Sequence, residues 1–424
     1  MARVAIIGGG IAGMAAGYDL SADHEVWLFE KEARVGGHTH TIPVPTSRGV
    51  IGVDTGFIVF NERNYPRLVE RLAALGVASK PSDMSFSVSS RSTGFEYSSR
   101  GVNGFFADRR HLLAPSHYRL LGEIRRFHGA ARALLAASDG AGEMPLAEWL
   151  ARHRFSRAFA RRFLYPMASA IWSTSLSQIA EFPAGLLARF FDNHGMLQMV
   201  GNPRWRVVVG GSSQYIEPLT APFRDRIVTS ARIESVVRDE LGVTLRFADR
   251  PPARVDHVVF ACHGDQVLPL LDLPTPSERD VLGTFKTSLN ETWLHTDARV
   301  LPRRPAARAS WNYHLDEADR AVSLTYHMNR LQGFDADEDY CVTLHPEGLV
   351  DESAVIRKLT YRHPLYTVDT LRAQARWHEV SGVNRTHYCG AYWFNGFHED
   401  GVRSAARVAD AIRAAAPAGV GVAA

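Results

Sequence analysis

Cysteine is scarce in this chain. Its 424 residues include three, Cys262, Cys341 and Cys389, far apart and odd in number, which argues against a disulfide framework and a thiolate zinc site and fits a reducing compartment. No apolar run approaches the length of a membrane span, and no charged and apolar leader precedes the first strand pattern. The expected location is therefore cytoplasmic, at most peripheral at the inner face of a membrane. Disorder is excluded by composition, with 46% hydrophobic and 22% charged residues. An excess of one charge is lacking too, at a formal +3, yet the arginines are unevenly spread. Arg109, Arg110, Arg125, Arg126, Arg132, Arg152, Arg154, Arg157, Arg161 and Arg162 crowd one stretch, interleaved with Leu, Phe and Ala. They read either as solvated helix faces or as a surface for anionic lipid or an acidic substrate. The length suits two or three domains.

What the chain does have is glycine in particular places. The apolar run Arg3 to Ile7 breaks into Gly8, Gly9, Gly10 and Gly13 and then into a helical pattern reaching Leu20. This is a strand, a tight turn and a helix N-terminus. Gly8 permits the turn, Gly10 lets a pyrophosphate approach the backbone, Gly13 allows close helix packing, and free amides with the helix dipole hold negative charge. The second strand, Glu25 to Glu30, ends in an acid placed to accept from an adenosine ribose. Strand, turn, helix, strand and acid together predict dinucleotide binding.

A second close-approach loop follows, Arg34-Val-Gly36-Gly37-His38-Thr39, and then Asp54-Thr55-Gly56-Phe57 in a strand from Val50 to Phe60 with a glycine near its middle. In this order the motifs resemble the N-terminal FAD-binding part of the flavin amine oxidase superfamily, which includes protoporphyrinogen oxidase and phytoene-desaturase-like enzymes. The resemblance implies an α/β fold (α+β overall): a Rossmann-type, glutathione-reductase-like FAD-binding domain carrying an inserted substrate domain of antiparallel sheet plus helices. It implies that Arg34, Gly36 and Gly37 cover the cofactor's phosphates, with Ile11, Ala12, Lys31, His38 and Thr39 beside them. It also implies that Asp54, Gly56 and Phe57 run under the isoalloxazine. His38 departs from the basic residue usual after the glycine pair.

Residues 61 to about 200 change character. Tyr65 to Gly76 reads as an amphipathic helix closed by glycine, Ser85 to Val88 alternates like a strand, and His111 to Ala136 and Leu146 to Trp172 are helical in spacing. The insertion is rich in large apolar groups, most of them core. Trp172, Phe190, Phe191 and His194 are candidate walls of a lipid-sized tunnel, with plain core as the alternative. Trp205 to Ile216 is another strand into a glycine pair, Gly210-Gly211, similar to the superfamily's internal motif where the chain returns to the FAD domain. Val236, on the next strand, carries over as an adenine contact. Val255 to Ala261 reads as a buried strand ending in Cys262-His263, a pair assigned a structural role because neighbours on a strand face opposite ways. From Thr284 to about Arg372 alternating strands mix aromatics with polar groups, Trp311 and Tyr326 among them, as in an antiparallel sheet roofing a substrate cavity. Lys286 is weighed as a flavin neighbour and read as a surface lysine.

The final stretch, Thr386 to Ala409, is a strand, a loop and a helix expected to begin near Asp400. It is similar to the superfamily's C-terminal flavin motif, which implies contacts from Gly390, Glu399, Asp400, Gly401 and Val402 and a helix dipole directed at the flavin. Ala391-Tyr392 replaces the acid usual after the strand glycine, and Ala405 a usual glycine. The expected domains are 1–75, 202–284 and 373–424 for FAD, and 76–201 with 285–372 for substrate.

Gly37-His38, Phe397-His-Glu-Asp-Gly401 and Trp311-Asn312-Tyr313 resemble a subgroup of predicted NAD/FAD-binding proteins associated with cyclopropane-fatty-acyl synthases and fatty acyl desaturation. The function this implies is FAD-dependent desaturation of a methyl-branched or cyclopropane-type acyl chain of a phospholipid, with hydride passing to flavin N5. His398, His38 and Tyr392 are candidate bases only because their motifs lie near the isoalloxazine. The rivals are an amine oxidase or protoporphyrinogen-oxidase-like enzyme on a soluble substrate, and a non-catalytic flavin-binding protein of lipid metabolism. The expected partners are an apolar small molecule or lipid and, peripherally, an anionic membrane; no nucleic acid and no metal are expected.

Overall fold

The computed structural model describes residues 1–137, 141–172, 176–197, 203–315 and 323–415. Its first layer is a parallel sheet of five strands, in the spatial order Ile227–Val228, Glu25–Phe29, Arg3–Ile7, His257–Phe260, Thr386–Tyr388. Arg3–Ile7 lies at the centre, and Val4, Ala5 and Ile6 are fully buried, as a strand covered on both faces requires. The helices Ile11–Leu20 and His398–Ala415 pack beside it and against each other. That approach needs Gly401, where a Cβ would meet Ile11 Cγ2 at 2.7 Å.

A second sheet has seven strands in the order Val355–Leu365, Lys286–His295, Cys341–Leu344, Ser323–His327, Trp311–Leu315, Phe86–Ser90, Glu96–Ser98. Its pairings are antiparallel except that Trp311–Leu315 runs parallel to Phe86–Ser90. The sheet expected from residues 285–372 is thus mixed, because a hairpin from the helical insertion joins its edge. The helices Pro115–Ala136, Leu146–Arg152, Tyr165–Trp172 and Ala184–Asn193 belong to the insertion. Two apolar clusters follow this division. One surrounds the parallel sheet; the other joins the second sheet to these helices through Phe127, Trp149, Phe159, Phe191 and Tyr313.

Two strands expected as continuous are broken. Val50 to Phe60 splits into a hairpin arm, Gly49–Asp54, and a separate strand, Val59–Asn61. Between them the chain crosses over His38, and only glycine fits, since a Cβ at Gly56 would strike the His38 carbonyl oxygen. Val255 to Ala261 splits into Ala253–Val255 and His257–Phe260, in different sheets. The break is at Asp256, whose carboxylate accepts from the Arg3 amide at 2.7 Å.

Candidate functional site

The two glycine loops near the N-terminus form one surface. Gly8 sits at φ +110°, and Gly10, at the head of the helix Ile11–Leu20, has an ordinary φ of −74°. A Cβ built on Gly10 meets nothing within 4 Å, so the backbone there opens on free space. Gly13 serves packing, since a Cβ would run into the Gly8 carbonyl. The Gly36 amide donates to the Gly9 carbonyl at 2.7 Å, laying the second loop against the first. Arg34 holds that loop from within, donating to the carbonyls of Gly37 at 2.7 Å and Thr39 at 3.1 Å. Glu30 accepts from the Gly9 amide at 2.6 Å and the Glu32 amide at 2.9 Å.

These loops line one end of a cavity of about 1980 Å³, roughly twice the upper end of ordinary small-molecule pockets, ~1,000 Å³. Gly8, Gly10, Ile11, Ala12, Glu30, Lys31, Arg34, Gly37, His38, Gly56, Phe57 and Gly390 all line it. Its middle is a band of rings. His38 lies 5.1 Å from both Tyr361 and His363 and 6.0 Å from His263, centroid to centroid. The Tyr361 hydroxyl is fixed by Thr55 Oγ1 at 2.7 Å and His40 Nδ1 at 3.0 Å, and His363 Nδ1 lies 2.6 Å from Asn290 Nδ2. His398 stacks on Phe57, and its Nε2 is 3.1 Å from Thr39 Oγ1, which also bonds Tyr215.

Burial is the largest influence on these imidazoles. It holds His263 and His363 down at about 4 and His398 at about 3, and it keeps His38 well below its usual value, helped by the neighbouring imidazoles and Arg34. All four are neutral near pH 7. Among the described residues His38 Nε2 is buried without a hydrogen-bond partner. Burial raises the Tyr392 hydroxyl well above its normal range, a poor setting for a base.

The cavity also has an apolar part to its wall, Phe105, Phe163, Met167, Ile171, Phe190 and Met196. His194, Trp311 and Tyr326 also line it. His194 stacks on Phe190 at 3.7 Å, and Trp311 meets Tyr326 edge to face at 4.9 Å. Among the described residues the lining carboxylates are Glu30, Glu32 and Asp265. Phe191 points away, against Phe127 in the core, and the side chain of Trp172 lies outside the described residues.

Several residues singled out from the sequence do not line the cavity. Asp54 is fully buried beneath it, accepting from Thr41 Oγ1 at 2.6 Å, from the Ser212 amide and hydroxyl, both at 2.8 Å, and from Gln332 Nε2 at 3.0 Å. It ties the hairpin to the loop after Gly210-Gly211, and burial pushes its carboxyl up to about 6. Val236 faces the core and its carbonyl accepts from the Asp272 amide, leaving Ala231 and Ile233 on the cavity side. Glu399 accepts from the amides of Arg67 at 3.1 Å and Leu68 at 2.9 Å. Asp400 caps its own loop, accepting from the Asn395 and Phe397 amides, and burial raises it to about 7. Gly36, Thr39, Gly401 and Val402 are buried supports. Cys262 and His263 both line the cavity, because the strand ends at Phe260 and the opposite-face argument stops there. Burial lifts the Cys262 thiol to about 12, which removes it as a nucleophile. Lys286 is exposed.

Sequence reasoning missed Tyr361 and His363. They stand on Val355–Leu365, where the continuous run from Leu359 to Pro364 lines the cavity, so no alternation in the sequence marked them.

The residues fit FAD: an open backbone cradle at Gly10, a helix N-terminus behind it and an acid, Glu30, at the second strand's end, all lining one cavity. The family described as flavin containing amine oxidoreductase matches residues 11–305. No curated protein matches the sequence. Among solved structures, putrescine oxidase bound to putrescine is similar at 15% identity and a TM-score of 0.72, covering 97% of this chain and 99% of that one. A putative protoporphyrinogen oxidase from Exiguobacterium sp. 255-15 is similar at 19% identity and 0.69, over 97% and 99%. A CLA-producing fatty acid isomerase from P. acnes is similar at 16% identity and 0.70, over 98% and 99%.

Proposed function

We propose a substrate for a chain that belongs to the flavin containing amine oxidoreductase family and is an FAD-dependent oxidoreductase: a fatty acyl chain of a phospholipid, methyl-branched or cyclopropane-modified, that is desaturated. One observation carries this reading. A single cavity is lined by the Gly10 cradle, by four neutral imidazoles and by the apolar walls Phe105, Phe163, Met167, Ile171, Phe190 and Met196, with Glu30, Glu32 and Asp265 as its carboxylates among the described residues. An ammonium substrate would be desolvated against those apolar walls, at a cost of several kcal/mol. An acyl chain loses nothing by leaving water and gains ~0.8 kcal/mol per buried CH₂. A fatty acid isomerase among the neighbours of this fold supports the same substrate type.

FAD, when bound, supplies the two-electron acceptor that such an oxidation needs. The chain's own residues do the rest. The apolar walls hold a substrate with no polar handle in one position, and the enclosed band excludes water. The neutral imidazoles that line the cavity, His38, His263, His363 and His398, are the groups able to receive the proton lost from the acyl carbon. Arg34 and Tyr361 fix the loops and sheet that frame His38.

Anaerobic mixing of the flavin-loaded protein with phospholipids, and separately with amines, tests the proposal through loss of the flavin's visible absorbance. Bleaching by branched or cyclopropane phospholipids but not by amines is expected. Bleaching by amines alone overturns the reading, and an unbleached flavin with every candidate favours a non-catalytic flavin-binding protein.

A further inference from the structure

Two residues of the cavity lining, Val102 and Leu121, belong to an unusual surface. Val102 is 77% exposed, Leu113 90%, Tyr118 49%, Leu112 45% and Leu121 38%. They stand on three consecutive elements, Gly101–Phe105, Arg109–Leu113 and the start of Pro115–Ala136. These elements are held together as one face. The Tyr118 hydroxyl donates to the Leu112 carbonyl at 3.0 Å, the Tyr118 ring lies 5.6 Å from Phe106, and His117 Nε2 is 2.8 Å from the Phe105 carbonyl. Leaving this many large apolar groups in water is costly unless something covers them.

Charge identifies the cover. Between residues 100 and 126 the arginines are Arg100, Arg109, Arg110, Arg119, Arg125 and Arg126, all exposed. The acids in that stretch, Asp108 and Glu123, are 3% and 8% exposed. Asp108 is consumed by Arg110 and Arg304, and Glu123 by the Ser156 amide and hydroxyl. The face therefore presents apolar side chains and positive charge with no exposed carboxylate of its own. Val102 and Leu121 are also cavity lining, so the chamber's mouth lies within the apolar patch.

We propose that this face docks on an anionic phospholipid bilayer, with Leu112, Leu113 and Tyr118 entering the interface, the arginines at headgroup level, and the cavity mouth open toward the acyl region. An apolar centre with a basic surround is the pattern that binds such a surface, and each arginine near it is worth about fivefold in affinity. The inference stands on surface chemistry and does not need the acyl chain to be the substrate.

The test is co-sedimentation of the flavin-loaded protein with vesicles of phosphatidylcholine alone or with added phosphatidylglycerol. Binding to the anionic vesicles only, weakened by salt, is expected. Leu112→Glu with Leu113→Glu should weaken it by more than about tenfold, and Arg109→Glu or Arg119→Glu by about fivefold or more, with flavin absorbance per protein unchanged as the check on folding. Equal or absent sedimentation with both vesicle types overturns the proposal, as does binding indifferent to the leucine substitutions. A dimer in solution that the same leucine substitutions turn into a monomer also overturns it, assigning the face to a second copy. Vesicle binding without bleaching by lipid would sink the acyl substrate alone; bleaching by lipid without vesicle binding would sink only this inference.

Discussion

The imidazole of His398 lies flat on the phenyl ring of Phe57, with 3.7 Å between ring centroids and 13° between planes. The pair joins the loop after Asp54 to the first residue of the last described helix, and Thr39 Oγ1 ties it to the second glycine loop. Three distant stretches of sequence thus meet in one stack beside the cavity.

Phe57 is 8% exposed, so Phe57→Ala removes a buried ring from this junction. Loss of about 3 kcal/mol of folding stability is expected. Chemical denaturation followed by circular dichroism measures it, and an unchanged midpoint would mean that the stack holds nothing together.

Gly10 and Gly13 should fail differently. Gly10→Ala keeps an accessible backbone conformation and its methyl meets no protein atom within 4 Å, so the flavin-free fold should be retained while FAD affinity falls by at least about tenfold, ~1.4 kcal/mol. Gly13→Ala drives a methyl into the Gly8 carbonyl and should lower the Tm of the flavin-free protein. Flavin titration and thermal melting of both variants separate the two roles.

Acid should destabilise the fold through its buried imidazoles. For His263, His363 and His398 the folded pKa lies below the unfolded value near 6.5, so the unfolded chain binds protons first as pH falls. Stability present above about 6.5 is lost toward pH 4. Asp54 and Asp400 act in the opposite sense, their raised values holding protons in the folded state over part of the same range, but the imidazoles outnumber them. His363→Gln should flatten the loss by up to ~1.4 kcal/mol per pH unit, read from urea midpoints at pH 5 and 7. An unchanged slope would show that His363 is not shielded.

Met167 lines the apolar part of the cavity wall. Met167→Asp places a carboxylate where an acyl chain would lie, and flavin reduction by phospholipid should slow at least about 100-fold in kcat/KM, ~2.7 kcal/mol, with flavin content retained. Undiminished reduction would move the substrate away from this wall.

The phosphate turn was legible because each of its glycines answers a separate steric demand that the sequence states outright. Asp54 shows the limit of such reading. A carboxylate in a D-x-G motif shows its chemistry but not its direction, and here it turns inward to Ser212 and Gln332 from a distant segment. Glu399 and Asp400 likewise read as flavin contacts and serve as acceptors for backbone amides. Tyr361 and His363 were hidden because a strand alternating polar with aromatic groups looks half-exposed, and only the tertiary fold reveals that its residues from Leu359 to Pro364 line the cavity. The parallel pairing of Trp311–Leu315 with Phe86–Ser90 depends on a contact across more than half the chain, beyond any local pattern.

Gly401 lets the final described helix rest on Ile11, beside the turn at the opposite end of the polypeptide. On the ribosome the turn is made long before the helix that rests on it, so that contact cannot form until residue 401 has emerged.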